Sequence, residues 1–381
     1  MDRNAPISIV TAIVICVVGV FALMIQPMII PTYAGLLGFT EQQGANILIA
    51  EVAGGAIASI VAIFWINKIN WRIAITVALV VVILGNLLTT TQTDPGNVMW
   101  IRLIVGFLGQ GTAFAIGISI IGNTSDPDRN FGFVISSQVA FGVVALATLP
   151  LLTGSFGSIG GMYVPLAALS AVGLLFIKFV PSGPAKREVA ASDSAGGSLA
   201  LPVAGLIAML IWCCGLGAMW SFIALIGEAG GMDSVMSLRA LSISSAVAIS
   251  GSLGAAALAG KGVNRFLPVT IALVMQIIMA WFLQGEMNLA EMAIKASIFQ
   301  VFWNMTGPFL MGGIAASDSG GRVSVLMPAA QTSGFFIGPA VVGIFLEGTG
   351  LVAVTYTTIA FCAVALVIFI PLSARLKAAG Y

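Results

Sequence analysis

The 381-residue sequence contains no histidine. That removes the commonest metal ligand and the usual proton shuttle near neutral pH. It also leaves no base for a Ser–His or Cys–His nucleophile pair. Charge is scarce: Asp, Glu, Lys and Arg make up 8% of the chain, where a soluble domain carries about 25%. The net charge is +1, so there is no basic field to draw nucleic acid. The four cysteines, Cys16, Cys213, Cys214 and Cys362, lie in apolar runs. They form neither a metal-spaced cluster nor a secreted disulfide framework, and packing is their expected role. No phosphate-cradling loop and no interfacial group of carboxylates appears. An enzyme, a metal and a cofactor are therefore not expected. Scattered single polar residues, rather than rings of charge, also argue against a channel.

What is abundant is apolar. Hydrophobic residues are 59% of the chain and the mean hydropathy is +1.10. A soluble protein of this composition would lack a water-compatible surface, so lipid is the expected solvent for most of the chain. A membrane-crossing helix needs about 20 apolar residues. Twelve such runs can be read, at 7–33, 45–66, 72–91, 98–121, 131–153, 160–180, 200–226, 237–259, 266–285, 289–315, 323–346 and 350–372. The first is too long for the apolar core of a signal peptide and lacks a clear small-residue cleavage site. The segment PSGPAKREVAASDSAGGS, within 181–199, is rich in Pro, Gly, Ser and charge, and reads as a cytoplasmic linker. It separates residues 1–180 from residues 200–381.

The positive-inside rule sets the orientation. With both termini in the cytoplasm, the inner loops and tails hold Arg3, Lys68, Arg72, Arg129, Lys178, Lys186, Arg187, Lys261, Arg265, Arg322, Arg375 and Lys377. The outer loops are acidic and hold one base, Arg239. The basic residues also reveal a repeat. Lys68 and Arg72 recur 193 positions later (261 less 68) as Lys261 and Arg265. The same step takes Arg102 to Lys295, Arg129 to Arg322 and Gln138 to Gln331. The chain thus reads as an all-α polytopic membrane protein built from two parallel, pseudo-symmetric six-helix bundles. Two such halves are a recognised plan of secondary transporters.

On these residues the sequence resembles the major facilitator superfamily over its whole length. The family's loop pattern G-x-x-x-D-R-x-G-R-R falls on Ile63–Arg72, with Lys68 and Arg72 keeping the basic character. The span-four pattern R-x-x-x-G falls on Arg102 and Gly106. The glycine–proline packing motif is reduced to Gly142 and Pro150 in the first half and is fuller in GFFIGPAVVG, Gly334 to Gly343. The resemblance implies a transporter of a small molecule that works by alternating access in the bilayer, coupled to protons or sodium. It also implies a cavity lined by the first and fourth spans of each half. A cytoplasmic gate would draw on Lys68, Arg72, Arg129, Lys261, Arg265, Asp318 and Arg322. A monomer in a bacterial inner membrane is the expected setting.

Three ionisable residues lie inside the apolar runs: Glu51, Arg102 and Lys295. A charge at the centre of a membrane helix costs about 2.5–3.5 kcal/mol on insertion scales and usually faces protein or water. Glu51 shares a helix face with Gly54, Gly55, Ala58, Ser59 and Ala62, the kind of small-residue face on which another helix packs. In a chain without histidine, Glu51 is the candidate for gaining and losing a proton. The competing reading is a structural ion pair. At 1.5 Å per residue, Arg102 lies about 6 Å into span four and Glu51 about 9 Å into span two, depths that permit pairing. Gly106 and Gly109 are read as sharing the Arg102 face and permitting close approach. Arg102 and Lys295 together would suit an organic anion with an apolar or aromatic body, whereas Lys295 alone is also placed to snorkel.

Further binding candidates are weaker. Gln26 sits with Pro27 and Pro31, which either free backbone groups for a ligand or merely kink the helix. Trp212 and Trp220 on span seven, and Trp303 and Asn304 on span ten, offer indoles beside an amide; packing accounts for each equally well. Trp303 and Asn304 are adjacent and point about 100° apart. Gln138 and Gln331 recur in both halves, which favours a helix-contact or gating role. Two rivals on the same fold are a proton-driven exporter of lipophilic compounds and a lipid or lysolipid transporter. Sixteen Met and twenty-two Phe suit their apolar cavities.

Overall fold

The computed structural model describes residues 4–66, 68–124, 127–183, 199–259, 266–317, 323 and 326–378. Lys261, Arg265, Asp318 and Arg322 lie outside the described residues, as does the side chain of Arg129. The chain divides into two compact units, Met1–Ala190 and Ala191–Tyr381. Each of the twelve apolar runs is mostly helical where it is described.

The first unit comprises α1 (Pro6–Val18), α2 (Phe21–Met24), α3 (Gln26–Leu37), α4 (Glu41–Trp65), α5 (Trp71–Thr89), α6 (Pro95–Ile104), α7 (Thr112–Gly122), α8 (Pro127–Phe156) and α9 (Gly160–Leu175). A π-helical stretch, Val105–Gly111, joins α6 to α7 without a break. The second unit comprises α10 (Ala200–Ala229), α11 (Ser234–Ala259), α12 (Phe266–Phe282), α13 (Leu289–Ser317), α14 (Met327–Thr349) and α15 (Val352–Ala378).

Among the described residues, eight helices are long and apolar enough to cross a membrane, and three apolar helices, Pro6–Val18, Gly160–Leu175 and Leu267–Phe282, are shorter. This is an integral membrane protein. Length and apolarity alone do not reach the twelve crossings read from the sequence. The first run is divided and α9 is short. The helix α13 is long but is made less apolar by Gln300, Asn304, Thr306 and Pro308 as well as by Glu291 and Lys295. The sidedness of α5 shows which solvent it meets. Ile73, Val77, Leu84 and Leu88 are exposed on one face, while Ala78, Leu79, Val82 and Asn86 are buried on the other. An apolar stripe that faces away from protein suits lipid and not water.

Two helices depart from the regular spans expected. The first run breaks at residues 19–20 and again at Ile25, whose backbone (φ −102°, ψ 9°) is not helical. Pro27 lies in the first turn of α3, where a missing N–H does no harm. Pro31 is accommodated inside α3. The kink therefore comes before the prolines, and α3 is a separate 12-residue piece that ends at Gly38 in the left-handed conformation (φ 67°). The second departure is the π-helical winding of residues 105–111, which no periodicity announced. π-Helical turns are rare and concentrate at functional sites.

Candidate functional site

Glu51 is positioned by a well-capped helix. The Thr40 hydroxyl accepts from the Gln43 amide at 3.1 Å, and the Gln43 side chain accepts from the Thr40 amide at 2.9 Å. This reciprocal capping box fixes the start of α4. Arg102 lies in the last turn of α6, a helix begun by Asp94 accepting from the Asn97 amide at 2.8 Å. The two helices meet backbone to backbone. A β-carbon on Gly106 would stand 2.0 Å from the Glu51 carbonyl oxygen, and one on Gly54 would stand 2.6 Å from the Leu103 carbonyl oxygen. Only glycine permits that approach, and the approach brings the two charged side chains within reach.

Glu51 and Arg102 are both 1% exposed and form a two-pronged ion pair. Arg102 Nε donates to Glu51 Oε2 at 3.0 Å, and Arg102 Nη2 donates to Glu51 Oε1. This is the planar fork that guanidinium offers a carboxylate. Arg102 Nη1 also donates to Asn86 Oδ1 at 2.7 Å and approaches Thr89 Oγ1 at 3.4 Å, both on α5. Because the cation demands an acceptor, Asn86 presents its oxygen, and its Nδ2 is left without a partner among the described residues. Gln110, from the π-helical stretch, donates to Glu51 Oε1 at 2.9 Å. The guanidinium carbon lies 4.5 Å from the centroid of the Tyr163 ring on α9. The Tyr163 hydroxyl lies 2.7 Å from that of Tyr33 on α3. Six segments thus converge on one buried pair of opposite charges.

The sequence marked Glu51 and Arg102 and did not mark Asn86, Thr89, Gln110, Tyr33 or Tyr163. One signal was present. The step of 193 that relates the halves takes Tyr163 to Tyr356 (356 less 163), and tyrosine is rare, with four in the chain. Gly109 is a correction. A β-carbon there would meet Val82 on α5 at 2.6 Å, so Gly109 faces α5 and not the α4 partner of Arg102. The face expected for α-helical spacing does not survive the π-helical winding.

As a binding candidate, Arg102 has its guanidinium committed to Glu51, Asn86 and Tyr163. Lys295, its equivalent in the second unit, is half-buried and has no hydrogen-bond or ion-pair partner among the described residues. The position equivalent to Glu51 is Ser244 (51 plus 193). Its hydroxyl accepts from Gln300 Nε2 at 2.6 Å, and Gln300 Oε1 accepts from Ser245 at 3.1 Å. The helix pair that is joined by charge in one unit is therefore joined by amide and hydroxyls in the other.

The remaining candidates scatter. Trp212 is buried and donates to Gln276 Oε1 at 2.9 Å; Gln276 Nε2 in turn donates to Thr306 at 3.2 Å. Trp303 packs edge-on against Trp220 with ring centroids 5.8 Å apart, and lies 5.6 Å from the ring of Phe335. Asn304 turns back to the Gln300 carbonyl at 3.1 Å, so it does not join those indoles. Gln26 is fully buried, and Gln138 reaches the Cys16 carbonyl at 3.4 Å. Gln331 is half-buried. Of the described gate candidates, Lys68 is exposed, and Arg72 Nε donates to the Val180 carbonyl at 2.6 Å. Among the described residues, Arg72 thus meets a backbone carbonyl of its own unit and no carboxylate.

Neither a protein-family model nor a curated protein matches the sequence. Solved structures do match it along its length. A POT family transporter in complex with 5-aminolevulinic acid is similar with a TM-score of 0.72 at 13% identity, covering 99% of each chain. Tetrameric PepTSo2 gives 0.69 at 13%, covering 97% of this chain and 98% of its own. A point mutant of the nucleoside transporter NupG gives 0.67 at 14%, covering 99% of each. The chain shares the fold of these solved structures. Two of the three are named as transporters.

Proposed function

We propose that the protein is a secondary active transporter of a small organic solute, driven by protons through Glu51. The observation that carries this reading is the Glu51–Arg102 pair, a carboxylate 1% exposed and opposed by one cation in helices that suit lipid. Taking a proton onto Glu51 removes the attraction that holds the two helices' charges together. Releasing it restores that attraction, so proton binding and helix arrangement are linked. Gln110 suits such a site. Its amide donates to the carboxylate at present, and after rotation its oxygen would accept from the protonated acid.

The same reading takes all twelve apolar runs as spans in two six-helix bundles, 1–180 and 200–381, with the linker and both termini in the cytoplasm of a bacterial inner membrane. The protein acts as a monomer by alternating access. An organic anion with an apolar or aromatic body is the favoured substrate. Support comes from Lys295, a half-buried cation without a partner among the described residues, on the same helix as Trp303. The full engagement of Arg102 favours a second reading, a proton-driven exporter of lipophilic compounds, because among the described residues it leaves Lys295 as the one intramembrane cation without a partner, where two facing a substrate are expected.

Proteoliposomes with an imposed pH gradient separate these readings. Organic anions and lipophilic cations are offered to the wild type and to Glu51→Gln. Gradient-driven accumulation of an anion that is lost in Glu51→Gln is the expected result. Unchanged accumulation in Glu51→Gln removes that residue as the proton carrier, and movement of cationic dyes alone establishes the exporter.

A further inference from the structure

Two buried tyrosines lead away from the ion pair to the divided first helix. Tyr163 lies under the Arg102 guanidinium, and its hydroxyl shares a hydrogen bond with that of Tyr33 on α3. Tyr33 also stacks on Phe39, with centroids 5.6 Å apart and planes 9° from parallel. Phe39 belongs to the turn that joins α3 to α4. The helix α3 is bounded by non-helical Ile25 at one end and left-handed Gly38 at the other. It is therefore a short element between two breaks, the kind of piece that can turn as a body.

We propose that Tyr163 and Tyr33 are positioning residues that carry the state of the Glu51–Arg102 pair to α3. The inference rests on Glu51 being the proton carrier. While Glu51 is ionised, the guanidinium is held by its carboxylate fork. When Glu51 takes a proton, the acceptors left to Arg102 are neutral: Asn86, Thr89 and the face of Tyr163. A cation–π contact gains weight in a desolvated site, so the guanidinium settles toward the ring. The ring cannot move without its hydroxyl, and the hydroxyl is bonded to α3. The charged and titratable groups facing Glu51 from the segments packed around it are Arg102 on α6, Tyr33 on α3 and Tyr163 on α9. Among the described residues, α2, the π-helical stretch and α7, which also pack on α4, bring no ionisable side chain.

The test reads the position of α3 directly. Spin labels are placed at Gly35→Cys on α3 and Gly154→Cys on α8, both positions where an added side chain meets open space. The background has Cys16, Cys213, Cys214 and Cys362 replaced by alanine. Interlabel distances are measured by pulsed electron resonance in lipid nanodiscs at acidic and alkaline pH. The expected result is a pH-dependent shift in the wild type that is absent in Glu51→Gln. It is also absent, to the same extent, in Tyr163→Phe, Tyr33→Phe and the double variant, since all three remove one and the same hydrogen bond. Retention of the full shift in the tyrosine variants overturns the link and leaves Glu51 as carrier. A wild type without any shift also overturns the link. Gradient-driven uptake that survives Glu51→Gln overturns the reading of Glu51, whatever the labels show.

Discussion

The carbonyl oxygen of Glu51 occupies the space that a β-carbon on Gly106 would need, at 2.0 Å. Two helix backbones touch there, and the ion pair one turn away exists because they touch. Close approach is the general route to helix association in lipid, where apolar side chains gain nothing by leaving the solvent.

Gly106→Ala is therefore expected to be destabilising. The added methyl group meets backbone, which cannot turn aside, so the π-helical stretch or α4 must shift. Overpacking of this kind costs about 1–3 kcal/mol. Gly154→Ala is the matched control, since nothing lies within 4 Å of its β-carbon position. Gly154 is exposed in the last turn of α8, where that change should be neutral or slightly stabilising, by up to about 1 kcal/mol. Thermal unfolding in detergent should lower the midpoint for the first variant and leave or raise it for the second.

The ion pair predicts a non-additive pair of substitutions. Arg102→Ala leaves a buried carboxylate without its cation, a change worth about 3–5 kcal/mol in comparable cases. The double variant Glu51→Gln with Arg102→Met removes both charges and keeps most of the volume. It should recover a large part of the loss. A double-mutant cycle on unfolding midpoints checks this; equal losses in the single and double variants would mean that the pair is not held as described.

Much of this arrangement was legible in the sequence because charge is so rare in it. With 15 basic residues in the chain, a repeated spacing stands out, and Glu51 and Arg102 could be matched by depth alone. The neutral members of the cluster were not legible. Asn86, Thr89 and Gln110 are ordinary polar residues in apolar runs, and nothing local to them says which way they point. The π-helical stretch compounds this, since it turns Gly109 toward α5 against the α-helical spacing. The break of the first helix was read from Pro27 and Pro31, the residues that attract notice. The chain breaks just ahead of Pro27, at Ile25: a proline cannot bond back to the preceding turn and disfavours helix before it, yet it fits the first turn of the new helix α3.

The second unit supplies a prediction about a neutral network. Trp212 donates to Gln276, and Gln276 donates to Thr306, all three buried. Gln276→Leu leaves the indole N–H without its acceptor, and an unsatisfied buried donor costs about 1–3 kcal/mol. Replacing Trp212 by Phe in the same chain removes the orphaned donor, so the double variant should be less destabilised than the sum of the two single ones. Tryptophan fluorescence gives an independent check. The loss of the hydrogen bond should alter the emission of Trp212 in Gln276→Leu, while the Trp220–Trp303 contact is left as it was.

Lys295 and Arg102 hold equivalent positions in the two halves, yet their surroundings differ, and the difference predicts opposite responses to truncation. Arg102 is held by a carboxylate, an amide and an aromatic face. Lys295 is half-buried and without a partner among the described residues. Lys295→Ala should therefore leave the unfolding midpoint nearly unchanged, since surface-like substitutions that break no interaction fall within about 0.5 kcal/mol. Its effect should appear in transport. If Lys295 meets a substrate carboxylate, the variant loses gradient-driven anion uptake through a raised KM, and Lys295→Arg restores part of it by keeping the charge. If anion uptake is the same in Lys295→Ala, the cation serves only to reach the membrane surface. The lipophilic exporter then becomes the better reading of this fold.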